Sequence, residues 1–202
     1  MKYVICISRQ YGSGGRFIAK KLAEKLNINF YDNELLAKAA SESGMSKAVF
    51  ENYDEKKDGF FSGIIPTSYG FDMSMGQKVF LAQFDSIRKI AQTESCVIVG
   101  RCADYILRDM TNVVSVFIHA PIESRIDRAI KFYNVEPSKA RDTVVKMDKK
   151  RKNYYNFYSD KTWGKADSYD LCISSGIGID ESVDAIKTFA ERKLKFDLKD
   201  KD

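Results

Sequence analysis

A single histidine, His119, stands among the 202 residues, and the four cysteines (Cys6, Cys96, Cys102 and Cys172) show no CxxC spacing. Zinc sites are assembled from clustered Cys and His ligands, so this inventory argues against one, and no metal ligand is assigned. Three of the thiols sit in or beside short apolar runs, where cysteine behaves as a small buried hydrophobe; the cysteines are expected as reduced, buried thiols. No stretch approaches the roughly 18 uninterrupted apolar residues of a membrane span. The opening apolar run, Tyr3-Val4-Ile5-Cys6-Ile7, is too short for a signal-peptide core and has no small-residue cleavage site after it. The expectation is a cytoplasmic protein with no membrane partner. Internal repeats and low-complexity segments are absent as well.

What is present is enough apolar material for one core: 44 % of the residues are hydrophobic. Residues 1–202 are therefore expected to form a single domain. The net charge of +5 suits an anionic small molecule and also suits nucleic acid, and the total does not choose between them. Its distribution is more informative, because positive charge gathers at residues 139–165.

Hydrophobic periodicity alternates between strand and helix. Residues 2–8, 27–32, 96–100, 113–119 and 169–174 read as five short strands. Residues 16–26, 33–43, 46–57, 77–93, 103–108, 121–133, 138–158 and 180–196 read as helices. In the first helix, Phe17, Ile18, Leu22, Ala23 and Leu26 fall on one face. Residues 58–76 break the pattern as a long loop rich in glycine, serine and aromatics; loops of this length are usually functional or mobile. The charged tail 197–202 is expected to fray. Apolar strands without strict alternation, separated by helices, predict an α/β fold: a three-layer sandwich in which a five-stranded parallel sheet carries helices on both faces. Such sheets bind ligands beyond the carboxyl ends of their strands.

After the first strand comes Ile7-Ser8-Arg9-Gln10-Tyr11-Gly12-Ser13-Gly14-Gly15-Arg16-Phe17. Three glycines in four residues, between a strand and a helix, let backbone N–H groups converge on an anion, and the helix dipole adds to the attraction. Against the P-loop pattern G-x-x-x-x-G-K-[ST], Gly12 and Gly14 serve the turn, but Arg9 stands at the first glycine, Gly15 at the lysine and Arg16 at the Ser/Thr. Arg16 or Arg9 is left to supply the missing charge. A guanidinium cannot take over metal ligation from a hydroxyl.

The run ISRQYGSGGRFIAKKLAEKLNINFYD (residues 7–32) resembles the opening of cytidylate kinase-like proteins. The segment Val99-Gly100-Arg101-Cys102-Ala103-Asp104-Tyr105-Ile106-Leu107 resembles that family's third-strand motif, and Trp163-Gly164 with Tyr169-Asp170-Leu171-Cys172-Ile173-Ser174 resembles its closing segment. The resemblance implies ATP-dependent phosphoryl transfer to a nucleoside monophosphate, CMP or dCMP first, with Mg²⁺ bridging the ATP phosphates. It implies a helical lid, placed at residues 138–165, and an acceptor-side loop at 58–76. Gly12, Ser13, Gly14, Gly15, Arg16 and Phe17 would hold ATP. Asp32, Arg101, Asp104 and Arg125 would hold the acceptor. Arg16, Arg101, Lys150 and Arg151 would stabilise the transferred charge, although lids of this family are arginine-rich and the stretch MDKKRKNYYNFY offers mostly lysine.

Other readings stay open beside these. Asp32 also suits a cap for the helix after it. Arg125 and Arg128 suit a solvated helix face. The basic run near Tyr154, Tyr155, Phe157 and Tyr158 is also what single-strand nucleic-acid binders use, although nucleic acid ranks last as a partner. His119 reads as structural, and Trp163 as packing against the body. Three functions remain in play: a nucleoside monophosphate kinase, a non-catalytic nucleotide-binding or sensing module, and a kinase for another small molecule. Nothing in the sequence sets the oligomeric state.

Overall fold

The computed structural model describes residues 2–32 and 75–198, with side chains from residue 80 onward in the second stretch. The helices expected at 33–43 and 46–57, nearly all of the 58–76 loop and the last four residues lie outside the described residues.

Five strands, all parallel, form one sheet in the order β2-β3-β1-β4-β5. They are β1 (Val4–Arg9), β2 (Asn29–Tyr31), β3 (Cys96–Val99), β4 (Val113–His119) and β5 (Leu171–Ser174). β1 lies at the centre, with Val4 opposite Cys96 on one side and Val113 on the other. Because side chains alternate across a strand, Ile5 and Ile7 enter one layer of core while Val4 and Cys6 enter the other. Both layers are filled, which explains the continuous apolar run in the sequence.

The first layer is closed by α1 (Gly15–Lys25) and α6 (Ile179–Leu194). Ile18, Leu22 and Ala23 of α1 meet Val183, Ile186 and Ala190 of α6 beneath the sheet. Each fully buried Leu or Ile there contributes about 1.5–3 kcal/mol. The exposed ion pairs Lys21–Asp180 (2.6 Å) and Lys25–Asp184 (2.7 Å) clip the same helices together at the rim, where such pairs add little. The second layer is covered by α2 (Met75–Thr93) and the short α3 (Ala103–Ile106), through Ile87, Ile90, Ala91, Ile106 and Leu107.

Two further helices stand over the carboxyl end of the sheet: α4 (Ile122–Tyr133) and α5 (Ala140–Tyr158). α5 coincides with the basic segment expected to form a lid. It starts two residues later than the sequence suggests, because Pro137–Lys139 forms a tighter 3₁₀ turn first. Its far end is seated on the body: Tyr155 is buried with Cys102, Phe117 and Tyr169, and the Tyr158 ring stacks on Phe80 of α2 at 3.9 Å between centroids. Trp163 meets Phe117 edge-on at 5.1 Å. β5 is shorter than expected because Asp170 clamps β4 instead, its carboxylate accepting the Ser115 N–H at 2.8 Å and the Ser115 hydroxyl at 2.9 Å. Cys6, Cys96 and Cys102 are buried as expected; Cys172 is instead exposed, because it lies on the edge strand β5.

Candidate phosphate-binding site

The turn from β1 into α1 is shaped by its glycines. Gly12 and Gly14 have φ of +74° and +80°, a region open to glycine at little cost. Gly12 is also required by space: a Cβ there would lie 2.3 Å from the Arg125 carbonyl oxygen, so the loop and α4 touch backbone to backbone. Gly14 precedes the first turn of α1 without a side-chain cap. The first N–H groups of the helix thus stay available to an anion. From the other side, the Ser175 hydroxyl after β5 donates to the Ser13 carbonyl at 2.5 Å, and the Ser13 hydroxyl is buried without a hydrogen-bond partner.

Positive charge converges beside this loop. The Arg9 side chain leaves the end of β1, passes Gly15 and lays its guanidinium against Gly100, the residue after β3. Arg101 follows directly, in the left-handed region (φ +57°), with its guanidinium 5.5 Å from the Tyr154 ring centroid. Arg151 reaches in from α5; it donates to the Arg9 carbonyl at 3.1 Å and sits 5.4 Å from the Tyr11 ring centroid. Burial first, then the charges of Arg151 and Arg101, hold the Arg9 pKa well below that of a free guanidinium, against a weaker pull from Tyr133 and Asp32. Arg151 is lowered as well, chiefly by burial. Among the described residues, no carboxylate forms an ion pair with Arg9. Clustered guanidiniums in a low-dielectric setting repel one another and are offset by an anion placed among them.

α5 also grips the loop through Asp148. Its carboxylate accepts the Tyr11 N–H at 2.7 Å and pairs with Arg125, whose side chain is 9 % exposed. Arg125 also points one N–H at the Tyr11 carbonyl at 3.4 Å. The neighbouring Arg128 lies over Gly14 and directs an N–H at the Gly12 carbonyl, also at 3.4 Å.

The remaining expected site residues fall in different places. Arg16 is on the outer side of α1, 56 % exposed, and donates to Asp32 at 2.6 Å; Asp32 is 10 % exposed. Phe17 is exposed and meets Phe132 of α4 edge-on at 5.5 Å. Asp104 is buried on α3, accepting the Tyr155 hydroxyl at 2.6 Å, and burial raises its pKa. Lys150 is exposed on α5. The structure therefore gathers Gly12, Ser13, Gly14, Gly15, Arg101 and Arg151 together, and directs Arg125 and Asp104 to protein partners. Sequence reasoning missed the anchoring of Tyr11 by Asp148 and the seating of Arg9 on Gly100. A glycine immediately after a buried strand was the available signal for the second.

The fold and glycine turn define a P-loop kinase-like protein. Residues 4–177 match the cytidylate kinase-like family, and the chain belongs to that family. An uncharacterized protein from Eubacterium ventriosum has a similar crystal structure, with 33 % identity and a TM-score of 0.74 over 94 % of this chain and 99 % of that one. The shikimate kinase of Bacteroides thetaiotaomicron (18 % identity, TM-score 0.56, 94 % and 98 % covered) shares the fold. So does a gluconokinase from Sinorhizobium meliloti (14 % identity, TM-score 0.57, 96 % and 94 % covered). No curated protein matches the chain.

ATP phosphates and Mg²⁺ differ in how the residues suit them. The open helix N-terminus, the glycines and the orphaned Ser13 hydroxyl suit phosphate oxygens. For the metal, the P-loop Ser/Thr position is Arg16, which has no lone pair to offer. Among the described residues, no group of three or more His, Cys, Asp or Glu is placed to hold an ion.

Proposed function

We propose that the chain transfers the γ-phosphoryl group of ATP to a nucleoside monophosphate, with CMP or dCMP as the first acceptors to consider. The observation carrying this reading is the convergence of Arg9, Arg101 and Arg151 beyond the glycine loop. In the reaction, the bond from the γ-phosphorus to the β,γ-bridging oxygen breaks, a bond to an acceptor phosphate oxygen forms, and ADP leaves. The protein's part in such chemistry is to position the groups and to stabilise charge spread over the transferred oxygens.

In this reading the glycine loop and the first N–H groups of α1 hold the donor phosphates. Arg101 holds the acceptor phosphate, and Arg151 on α5 neutralises charge between the two. Asp32 faces the acceptor, with Arg16 orienting it. Mg²⁺ bound with the nucleotide would supply charge shielding at the donor phosphates, with no side chain of the glycine loop suited to ligate it. Tyr154, Tyr155 and Tyr158 seat α5 over the site, which excludes water and protects ATP from hydrolysis. We place this activity in the cytoplasm; no helix among the described residues is long and apolar enough to cross a membrane.

A second reading is favoured by one observation, the commitment of Arg16 to Asp32. A P-loop without its lysine and hydroxyl suits a module that binds nucleotide without turnover. A coupled ADP-release assay with Mg-ATP against CMP, dCMP, UMP, AMP and GMP decides between them. Turnover with one acceptor supports the kinase. No turnover with any of the five, alongside ATP binding by calorimetry, supports the binding module.

A further inference from the structure

We propose that Arg9 is the phosphate-binding cation of this P-loop, reaching from the end of β1 into the role that a lysine plays from the start of the helix. Gly15 is glycine so that the Arg9 stem can cross it. This deepens the phosphotransfer reading and rests on it.

Arg9 and Gly15 stand where the P-loop pattern has Gly and Lys, so the two side-chain types have changed places along the loop. The exchange is reciprocal in space. A Cβ on Gly15 would lie 2.7 Å from Arg9 Cβ and 3.0 Å from Arg9 Cγ. Gly15 is an ordinary helical residue, so its backbone does not demand glycine; the neighbouring stem does. At the far end, a Cβ on Gly100 would lie 2.6 Å from Arg9 Nη1. Two glycines thus clear a path for one arginine, from the glycine loop to the residue before Arg101. Arg16, the other candidate, is half outside the protein and already bonded to Asp32 through Nε at 2.9 Å and Nη2 at 2.6 Å.

A purely structural strut is a poor account of Arg9. A strut of this kind is expected to carry a paired carboxylate, because even a partly buried charge without one is costly. Arg9 instead forms no ion pair with a carboxylate among the described residues and faces two further guanidiniums, with only a weaker pull from Asp32.

The test measures the affinity for ATP and for inorganic tripolyphosphate by calorimetry, and ADP release with the best acceptor. Arg9→Gln is expected to weaken both affinities about tenfold to hundredfold, as loss of a charged hydrogen bond does. Arg16→Gln is expected to weaken them much less. The decisive variant is Arg9→Gly/Gly15→Lys, which restores the glycine and lysine of the usual pattern and should recover at least about tenfold of what Arg9→Gly alone loses. Should Arg9→Gln fail to fold, Gly15→Ala substitutes for it. It displaces the Arg9 stem while adding only the Cβ that every P-loop lysine carries, and weakened binding is again expected.

Wild-type affinity in Arg9→Gln, or a larger loss in Arg16→Gln than in Arg9→Gln, overturns the proposal. So does unchanged affinity in Gly15→Ala or no recovery in the double variant. Arg9-dependent polyphosphate binding without turnover sustains the Arg9 assignment and sinks the kinase reading. A wild-type protein that binds neither ATP nor tripolyphosphate sinks both.

Discussion

The Asp148 carboxylate accepts the backbone N–H of Tyr11 at 2.7 Å, across 137 residues of chain, while pairing with Arg125 of α4. One side chain on α5 therefore holds the glycine loop and α4 together. Three residues later on the same helix, Arg151 donates to the Arg9 carbonyl. Spacing of i and i+3 puts both on one face of α5, so the position of that helix and the shape of the loop are set jointly. Asp148→Ala is expected to cost about 3–5 kcal/mol, because it leaves the nearly buried Arg125 unpaired. Asp148→Asn keeps an acceptor for Tyr11 and should cost less. Urea unfolding of the two variants tests this, and equal stabilities for both would show that the Tyr11 hydrogen bond contributes nothing beyond the lost charge facing Arg125.

Gly12→Ala should disturb the loop more than its single methyl suggests. Holding alanine at a φ of +74° costs about 1–2 kcal/mol, and the added Cβ would meet the Arg125 carbonyl oxygen. Relief requires α4 to move off the loop. The expected outcome is a lower melting temperature together with weaker ATP binding; a variant as stable as the wild type would contradict the backbone contact.

Asp104 supplies a pH dependence whose sign can be worked out. Burial raises its pKa in the folded protein above the ordinary carboxylate value, outweighing the hydrogen bond from Tyr155. Between the unfolded pKa, near 4, and the raised folded one, the folded state binds more protons. Stability then falls as pH rises through that window, and the penalty is fully present above it. Asp104→Asn, which keeps an oxygen for the Tyr155 hydroxyl, should remove this component. The difference in unfolding free energy between the two proteins, followed upward from pH 4, should shift in favour of the variant. A shift in favour of the wild type would reverse the assignment.

The stacked Phe80 and Tyr158 rings tie the end of α5 to α2 at a 10° interplanar angle. A double-mutant cycle of Phe80→Ala and Tyr158→Ala should return a coupling of about 0.5–1.5 kcal/mol. Additive losses would mean that the two rings are packed separately rather than against each other.

Much of the architecture was legible in the linear pattern. Five apolar runs separated by helical periodicity announced a parallel sheet, since only strands buried on both faces lose their alternation. Val113–His119 was found to the residue, and the glycine turn was visible because φ near +80° leaves a compositional trace. The least legible elements were those at the sheet edge and at proline, where Leu171–Ser174 is shortened by the Asp170 clamp and α5 is delayed by a 3₁₀ turn.

By itself, then, the sequence determined the fold, the loop and the set of arginines. Only the tertiary structure decided which groups each arginine meets. Arg9 and Arg16 are interchangeable on paper, yet one lies beneath Gly100 among like charges and the other on the rim against Asp32. Arg125 and Arg128 share a helix face, yet Asp148 pairs with Arg125 while Arg128 rests over Gly14. Periodicity reports which face of an element a residue occupies. A charge's partner depends on which other element is brought opposite, and that is a property of packing between segments far apart in the chain.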